Sequence, residues 1–383
     1  MAVGSPEEPT EMKDSRITKL AKLLMRHSCV LQSGERVLIE SINAPNEIII
    51  ELIREARAVG AVPLVTIKDD RINRELCAAR TADDNKLMAD CELYTLKQMD
   101  AFISIRAIHN AQEYSDVPAE NLRHVLEYYI KPVHLKQRNE HTKWVALRWP
   151  TAAMAERAGM STAAFEDFFF DVCTADYEKM SAAMDPLIEL MQKTNRVRIK
   201  GPGETDLAFS ITGMRQHKSV GQHNIPDGEL FTAPVRESVE GRIQFNVPSV
   251  YYGTCFQNVC FSFRHGKIID AVSNETRRLN EILDQDQGAR FIGEFAFGVN
   301  PLILSPMNDI LFDEKITGSV HLAPGNAYRE CDNGNRSAIH WDLILIQTPM
   351  MGGGEIFFDN TLVRKGGRFV PPELAGLNPE NLG

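Results

Sequence analysis

The chain of 383 residues contains no stretch of 18 uncharged apolar residues, which excludes a membrane-spanning helix. It lacks the basic excess with which a general nucleic-acid binder neutralises phosphates: 42 Lys and Arg stand against 52 Asp and Glu, a formal net charge of −10. Cysteine is sparse. Seven are scattered with no CxxC pair, an odd number that fits a reducing compartment better than a disulfide framework. Cys255 and Cys260 lie five apart in a run that reads as strand, so they face opposite sides and form no joint metal site. GxGxxG is absent from the first half, which removes the dinucleotide fingerprint. GxSxG and HExxH are absent as well, which removes a serine nucleophile elbow and a single-helix zinc protease. There is no repeat of solenoid period and no low-complexity segment.

What is present is ordinary globular material, 43% apolar and 25% charged, long enough for two or three domains. Residues 1–14, polar, acidic and carrying two prolines, read as a disordered tail without the basic start and apolar core of a signal peptide, so a cytoplasmic protein is expected. An amphipathic helix from Ile17, a β-branched run at 36–41, a helix at 46–59 closed by Gly60 and a strand at 62–67 make one βαβ unit. Further strands are expected at 101–106 and 143–147, and linking helices at 162–175 and 177–194. After Asn195 short strand-like runs (196–200, 242–247, 258–264, 339–346) alternate with Gly, Pro and Asn turns, among them Asn333-Gly334 and the glycines at 352–354. The expectation is an α/β protein: an N-terminal open α/β sheet domain with interdomain helices over 15–194, then a β-rich α+β domain over 195–383.

The second half also concentrates candidate metal ligands. In a strand, His340 and Asp342 share a face with Trp341 opposite, and imidazole plus carboxylate suits a divalent transition metal. The flanking residues are strongly apolar, and a His and an Asp buried there are costly unless paired or coordinated. His321 ends an apolar run before a Gly/Pro loop and reads equally as a structural histidine; Tyr328, seven residues on, reads by itself as packing. Glu229 follows a turn and opens an apolar stretch. Glu294 is a lone acid among apolar and glycine residues, to be satisfied by an ion or by a buried salt bridge. Together these supply two glutamates, two histidines and an aspartate, the donor set of a two-metal hydrolytic site. The other eight histidines have no convincing partners, and Lys200-Gly-Pro-Gly-Glu204 reads as a structural turn.

The motifs IPDGELFTAP, GEFAFGVN, FDEKITGSVHLAPGNAY and GNRSAIHWDLI, preceded by WPTAAMAERAGMSTAAFEDFFFD, resemble those of the M29 family of metallo-aminopeptidases, in order and spacing, over almost the whole chain after the tail. The resemblance implies removal of N-terminal residues from short peptides by a pair of divalent ions (zinc, cobalt or manganese), in a homodimer whose subunits together enclose the site. It implies Glu229 and Glu294 as carboxylate ligands, Glu294 the bridge. His321, His340 and Asp342 would complete the shells, and Tyr328 would donate a hydrogen bond to the developing oxyanion. In the better-known branch an acid lies five positions before the histidine matching His321; here that position is Ile316, and the nearest acid, Glu314, is seven before. Glu314 is expected either to reach the metals through a longer loop or to pair with a basic residue. Two further readings are a single-iron, ring-cleaving dioxygenase of the dihydroxypyridine type and a non-catalytic binding protein on the same scaffold. The dioxygenase sites lack the acid matching Glu229 and carry His at the position of Glu294.

Overall fold

The computed structural model describes residues 14–383. Residues 1–13, and with them the expected tail, lie outside the described part; Asp14 is within it, and its carboxylate accepts from the Arg16 N–H at 2.8 Å to cap the helix Ser15–Leu23.

The first half builds a parallel sheet. Strands Val62–Lys68, Arg36–Ile42, Ala101–Ala107, Lys143–Trp149 and Asn224–Ile225 lie side by side in that order, every pairing parallel. Alternation decides what each face buries. Val37, Ile39, Ile103, Ile105, Val145 and Leu147 share a core with Leu20 of the first helix, Leu24 just after it, and Ile48 and Leu52 of the helix Asn46–Ala58. Leu38 and Phe102 point the other way, onto Ala89, Leu96, Tyr129 and Val133. Helices therefore cover both faces, as near-continuous β-branched runs require. The fifth strand, Asn224–Ile225, belongs to the sequence beyond Asn195, so the second half is stitched into the first half's sheet.

The helices Thr162–Cys173 and Tyr177–Lys193 lead into two antiparallel sheets. One has eight strands, among them Asp206–Ser210, Arg196–Lys200, Glu355–Phe358 and Thr361–Lys365 side by side in that order. The other has five: Leu343–Ile346, Ser319–Pro324, Ile292–Gly298, Glu229–Thr232 and His217–Ser219. Between them Phe209, Phe295, Phe297 and Phe358 pack ring on ring, centroids 5.0–6.2 Å apart. The expected strand at 339–346 is shorter than its apolar run suggested. Only Leu343–Ile346 pairs as a strand, because His340 is tied by a single bridge to Gly325 instead.

Arg364 crosses this layer. Its side chain, 1% exposed, donates to the Ser319 carbonyl and to Gln347 Oε1, both at 2.8 Å, with its guanidinium 5.0 Å from the Phe297 ring centre. It thereby bolts the eight-stranded sheet to the five-stranded one. Arg364→Ala is expected to cost about 3 kcal/mol, from two charge-assisted hydrogen bonds and a void among aromatic rings; denaturant unfolding of the variant against wild type measures it.

Candidate metal centre

The five-stranded sheet aims three ligands at one volume. Ala296 pairs with His321 across one neighbour, and Gly298 pairs with Glu229 across the other. Residues paired in an antiparallel sheet share a face, and period two places Glu294, Ala296 and Gly298 on that face as well. Phe295 and Phe297 point into the core behind it. The small side chains at 296 and 298 leave the face open in front of the acids. Gly298 has no room for more: a Cβ there would lie 2.4 Å from the Ile316 carbonyl oxygen. A bulge between Ile292 and Glu294 sets the register of the acid. At its centre, Gly293 lets the 325–326 backbone approach; a Cβ would sit 2.5 Å from both carbonyl oxygens.

That loop carries the other half of the site. The Asn326 carbonyl lies 2.8 Å from His340 Nδ1, which fixes that nitrogen as the donor and leaves Nε2 facing the acids. Buried Asn335 donates to the carbonyls of Gly288 and Gly325 at 2.9 and 2.6 Å and holds the loop shut. Although residues 341–342 lie outside the regular strand, His340 and Asp342 project together as expected, Nε2 to Oδ1 3.3 Å. Trp341 points the opposite way, stacked on Tyr251 at 4.6 Å.

Two triplets result, Glu229–Glu294–His321 and Glu294–His340–Asp342, in each of which one donor atom per residue lies within 4.8 Å of the others. Glu294 belongs to both. His321 Nε2 stands 3.3 Å from Glu294 Oε1 and 3.4 Å from Glu229 Oε2, and His340 Nε2 is 3.3 Å from Glu294 Oε2. Glu229 Oε2, Glu294 Oε2, His340 Nε2 and Asp342 Oδ1 are buried without a hydrogen-bond partner among the described residues. Unsatisfied oxygen and nitrogen donors converging on one volume are what a divalent cation requires, and the mixed His/carboxylate set suits zinc, manganese or cobalt.

The titration behaviour shows the same demand for positive charge. Burial alone would lower the His321 imidazole, yet Glu294, Glu229 and Asp342 lift it to about 9. His340 is raised well above its ordinary value against the same burial penalty, by Tyr328, Asp342 and Glu294. Burial would raise the Glu294 carboxyl, but His321 and His340 beside it hold it below the usual range.

Tyr328 lies against the centre, its ring 4.4 Å from His340 and 44% exposed. The pull of His340 on its phenol is outweighed by burial and by the charges of Glu294 and Asp342, so it stays protonated well past neutral pH.

Glu314 joins neither triplet. It pairs instead with Lys315, the basic partner that was one of the two alternatives for it, at 2.6 Å. Lys315 was not singled out by sequence. Fully buried, it also holds Glu229 Oε1 at 2.7 Å and stands 3.4 Å from Asp227 Oδ1. Asp227 is itself fixed by the N–H groups of Gly221 and Gly228. The lysine therefore occupies one oxygen of Glu229 and turns the other towards His321. Burial outweighs its attraction in Glu314, whose carboxyl is pushed up to about 8.

The clustered donors agree with a metalloprotease, and the sequence places the chain in such a family. The chain belongs to the M29 family of thermophilic metalloproteases, whose family description matches residues 13–367. It is similar to aminopeptidase PepS of Streptococcus thermophilus, 24% identical with 87% of this chain and 92% of that one covered. It is also similar to aminopeptidase T of Thermus thermophilus, 30% identical over 46% of this chain and 49% of that one. Among solved structures, wild-type AmpT from Thermus thermophilus superposes with a TM-score of 0.78 at 20% identity, covering 93% of this chain and 99% of that one. The 2,5-dihydroxypyridine dioxygenase of Pseudomonas putida KT2440 superposes at 0.61 and 12% identity, covering 94% and 99%. At these identities both superpositions show a shared fold.

Lys315→Met is expected to destabilise the protein by about 3–5 kcal/mol, because it strands buried carboxylates without their cation. Adding Glu314→Gln to Lys315→Met should recover part of the loss. Chemical denaturation of the two variants beside wild type checks both expectations.

Proposed function

We propose that the chain is an aminopeptidase that removes the N-terminal residue of short peptides, working with two divalent ions, zinc, cobalt or manganese. The observation that carries this reading is the pair of ligand triplets sharing Glu294. In it Glu294, common to both triplets, would be a ligand to both ions, Glu229 and His321 would help hold one, and His340 and Asp342 the other. When bound, such a pair of ions supplies a water acidic enough to attack at neutral pH and a Lewis acid for the peptide carbonyl.

The chain's own groups do the rest. Tyr328, a neutral phenol with no hydrogen-bond partner among the described residues, donates to the carbonyl oxygen as negative charge grows there. Glu294, whose two oxygens face His321 and His340 in turn, would hold the two halves of the site at a fixed separation. Lys315 keeps Glu229 fixed in one orientation. Further parts of the reading are a division of the chain into 15–194 and 195–383, a homodimer and a cytoplasmic location. Seven free cysteines agree with the last.

The dioxygenase alternative draws support from the shared fold alone. The acids at 229 and 294 speak for the peptidase, since a single iron would leave Glu229 beside Lys315 with no ion to serve. Elemental analysis separates the two: near two equivalents of zinc, manganese or cobalt supports this reading, and one iron overturns it.

Three outcomes follow. Unblocked di- to pentapeptides should release free amino acids and their N-acetylated forms none, read by amino-acid analysis. His340→Ala should abolish activity together with most of the bound metal, since it removes a ligand from one shell. Tyr328→Phe should keep its metal and its KM while kcat falls about 10²–10³-fold; full activity in that variant would make Tyr328 a packing residue.

A further inference from the structure

A second polar site adjoins the metal centre. A cavity of about 280 Å³ opens between the parallel sheet and the β-rich half, and Asp342 and Ile344 form part of its wall. Facing them are three arginines. Arg106 and Arg148 stand near the carboxyl ends of the neighbouring parallel strands Ala101–Ala107 and Lys143–Trp149, and Arg157 ends the short helix Ala152–Arg157. The carboxyl ends of parallel strands are where open α/β sheets bind ligands.

The arginines are not consumed by the protein around them. The Nε atoms of Arg106, Arg148 and Arg157 are all buried without a hydrogen-bond partner among the described residues. Among the described residues Arg148 donates no hydrogen bond; it pairs with Asp309 at 3.7 Å, which also serves Arg157 at 3.5 Å. Asp70 is taken up by Arg106 at 2.9 Å, Asn43 at 3.1 Å and Tyr114 at 3.1 Å. Asp313, the remaining acid in the wall, accepts the Met307 N–H at 2.6 Å. Of the carboxylates here, Asp342 is committed to His340. Three guanidiniums thus share Asp70 and Asp309, and Arg148 is the least committed of them, with one ion pair at 3.7 Å to an Asp309 that it shares with Arg157. A planar guanidinium with free donors matches a carboxylate in bidentate geometry.

We propose that this arginine cluster is a carboxylate-binding subsite, through which the enzyme takes short peptides by the free α-carboxylate at their C-terminus. The inference deepens the aminopeptidase reading and rests on it for the identity of the substrate. With the amino end at the metal centre and the carboxylate at Arg148, the separation between the two sites limits peptide length. The cavity lies at the lower limit of small-ligand sites, so among the di- to pentapeptides the shortest are expected to be the best substrates. An acidic side chain just after the cleaved bond would present the same chemistry.

The test compares Leu-Gly, Leu-Gly-amide and Leu-Asp-amide on the metal-loaded enzyme. The free acid is expected to exceed Leu-Gly-amide in kcat/KM by about 10–100-fold, the worth of one charge-assisted pair, with the difference in KM. Leu-Asp-amide staying as poor as Leu-Gly-amide assigns the site to the terminal carboxylate; Leu-Asp-amide as good as Leu-Gly assigns it to a side chain and overturns the length limit. In Arg148→Gln the acid-to-amide ratio should collapse to within about threefold of one. Arg157→Gln, on a surface helix, gives the same comparison if Arg148→Gln does not fold. A second readout needs no metal: N-acetylglycine should raise the melting temperature of the metal-free protein, N-acetylglycinamide should not, and Arg148→Gln should lose the effect. Equal rates on acid and amide, with no shift from N-acetylglycine, overturn the proposal. No hydrolysis of any peptide with the N-acetylglycine shift intact overturns the aminopeptidase reading and leaves the carboxylate site standing.

Discussion

Concentrated negative charge in a dry place governs this molecule. Glu229, Glu294, Asp342, Glu314 and Asp227 converge from separate strands and loops. A group of carboxylates removed from water persists only if cations come with it. The protein supplies one of them permanently, the Lys315 ammonium, and leaves the rest to ions or to protons on His321 and His340. The sheet that displays the acids, the loop pinned by Asn335 and the arginine that bolts the sheets together all keep these charges in register, so that the demand for cations falls on one volume.

Much of this was legible in the sequence because the chemistry and the strand period coincide. In Glu294-Phe-Ala-Phe-Gly298 the alternation displays acid and small residues on one face and phenylalanine on the other, and a lone acid there announces itself. His340 and Asp342 were paired correctly by their spacing even though they lie ahead of the regular strand, since an extended backbone projects i and i+2 alike with or without a full ladder. The parallel sheet followed from its β-branched runs and helix caps, except for its fifth strand. Two residues at 224–225 are too short to leave a pattern, and only the closing of the second half onto the first puts them there.

Lys315 and the arginine cluster were illegible for a different reason. Lys315 is one of 42 basic residues, flanked by nothing that distinguishes it from a solvated lysine; its burial is created by segments around residues 227, 300 and 314 that meet only in the folded chain. Arg106 and Arg148 occur 42 positions apart in unrelated strands, and only their pairing opposite each other in the parallel register makes them neighbours. Charge that is collected by topology carries no local signature.

The bulge at Gly293 has a consequence for how this sequence can vary. A slip of one residue along the Ile292–Gly298 strand would turn Phe295 and Phe297 into the metal volume and bury Glu294 among aromatic rings, so an insertion or deletion there ruins the core and the chemistry in a single step. Length changes are therefore barred from this strand and deflected into the hairpins and loops at a distance from it. A population of diverging copies would keep the spacing from 293 to 298 rigid while the turns around it drift.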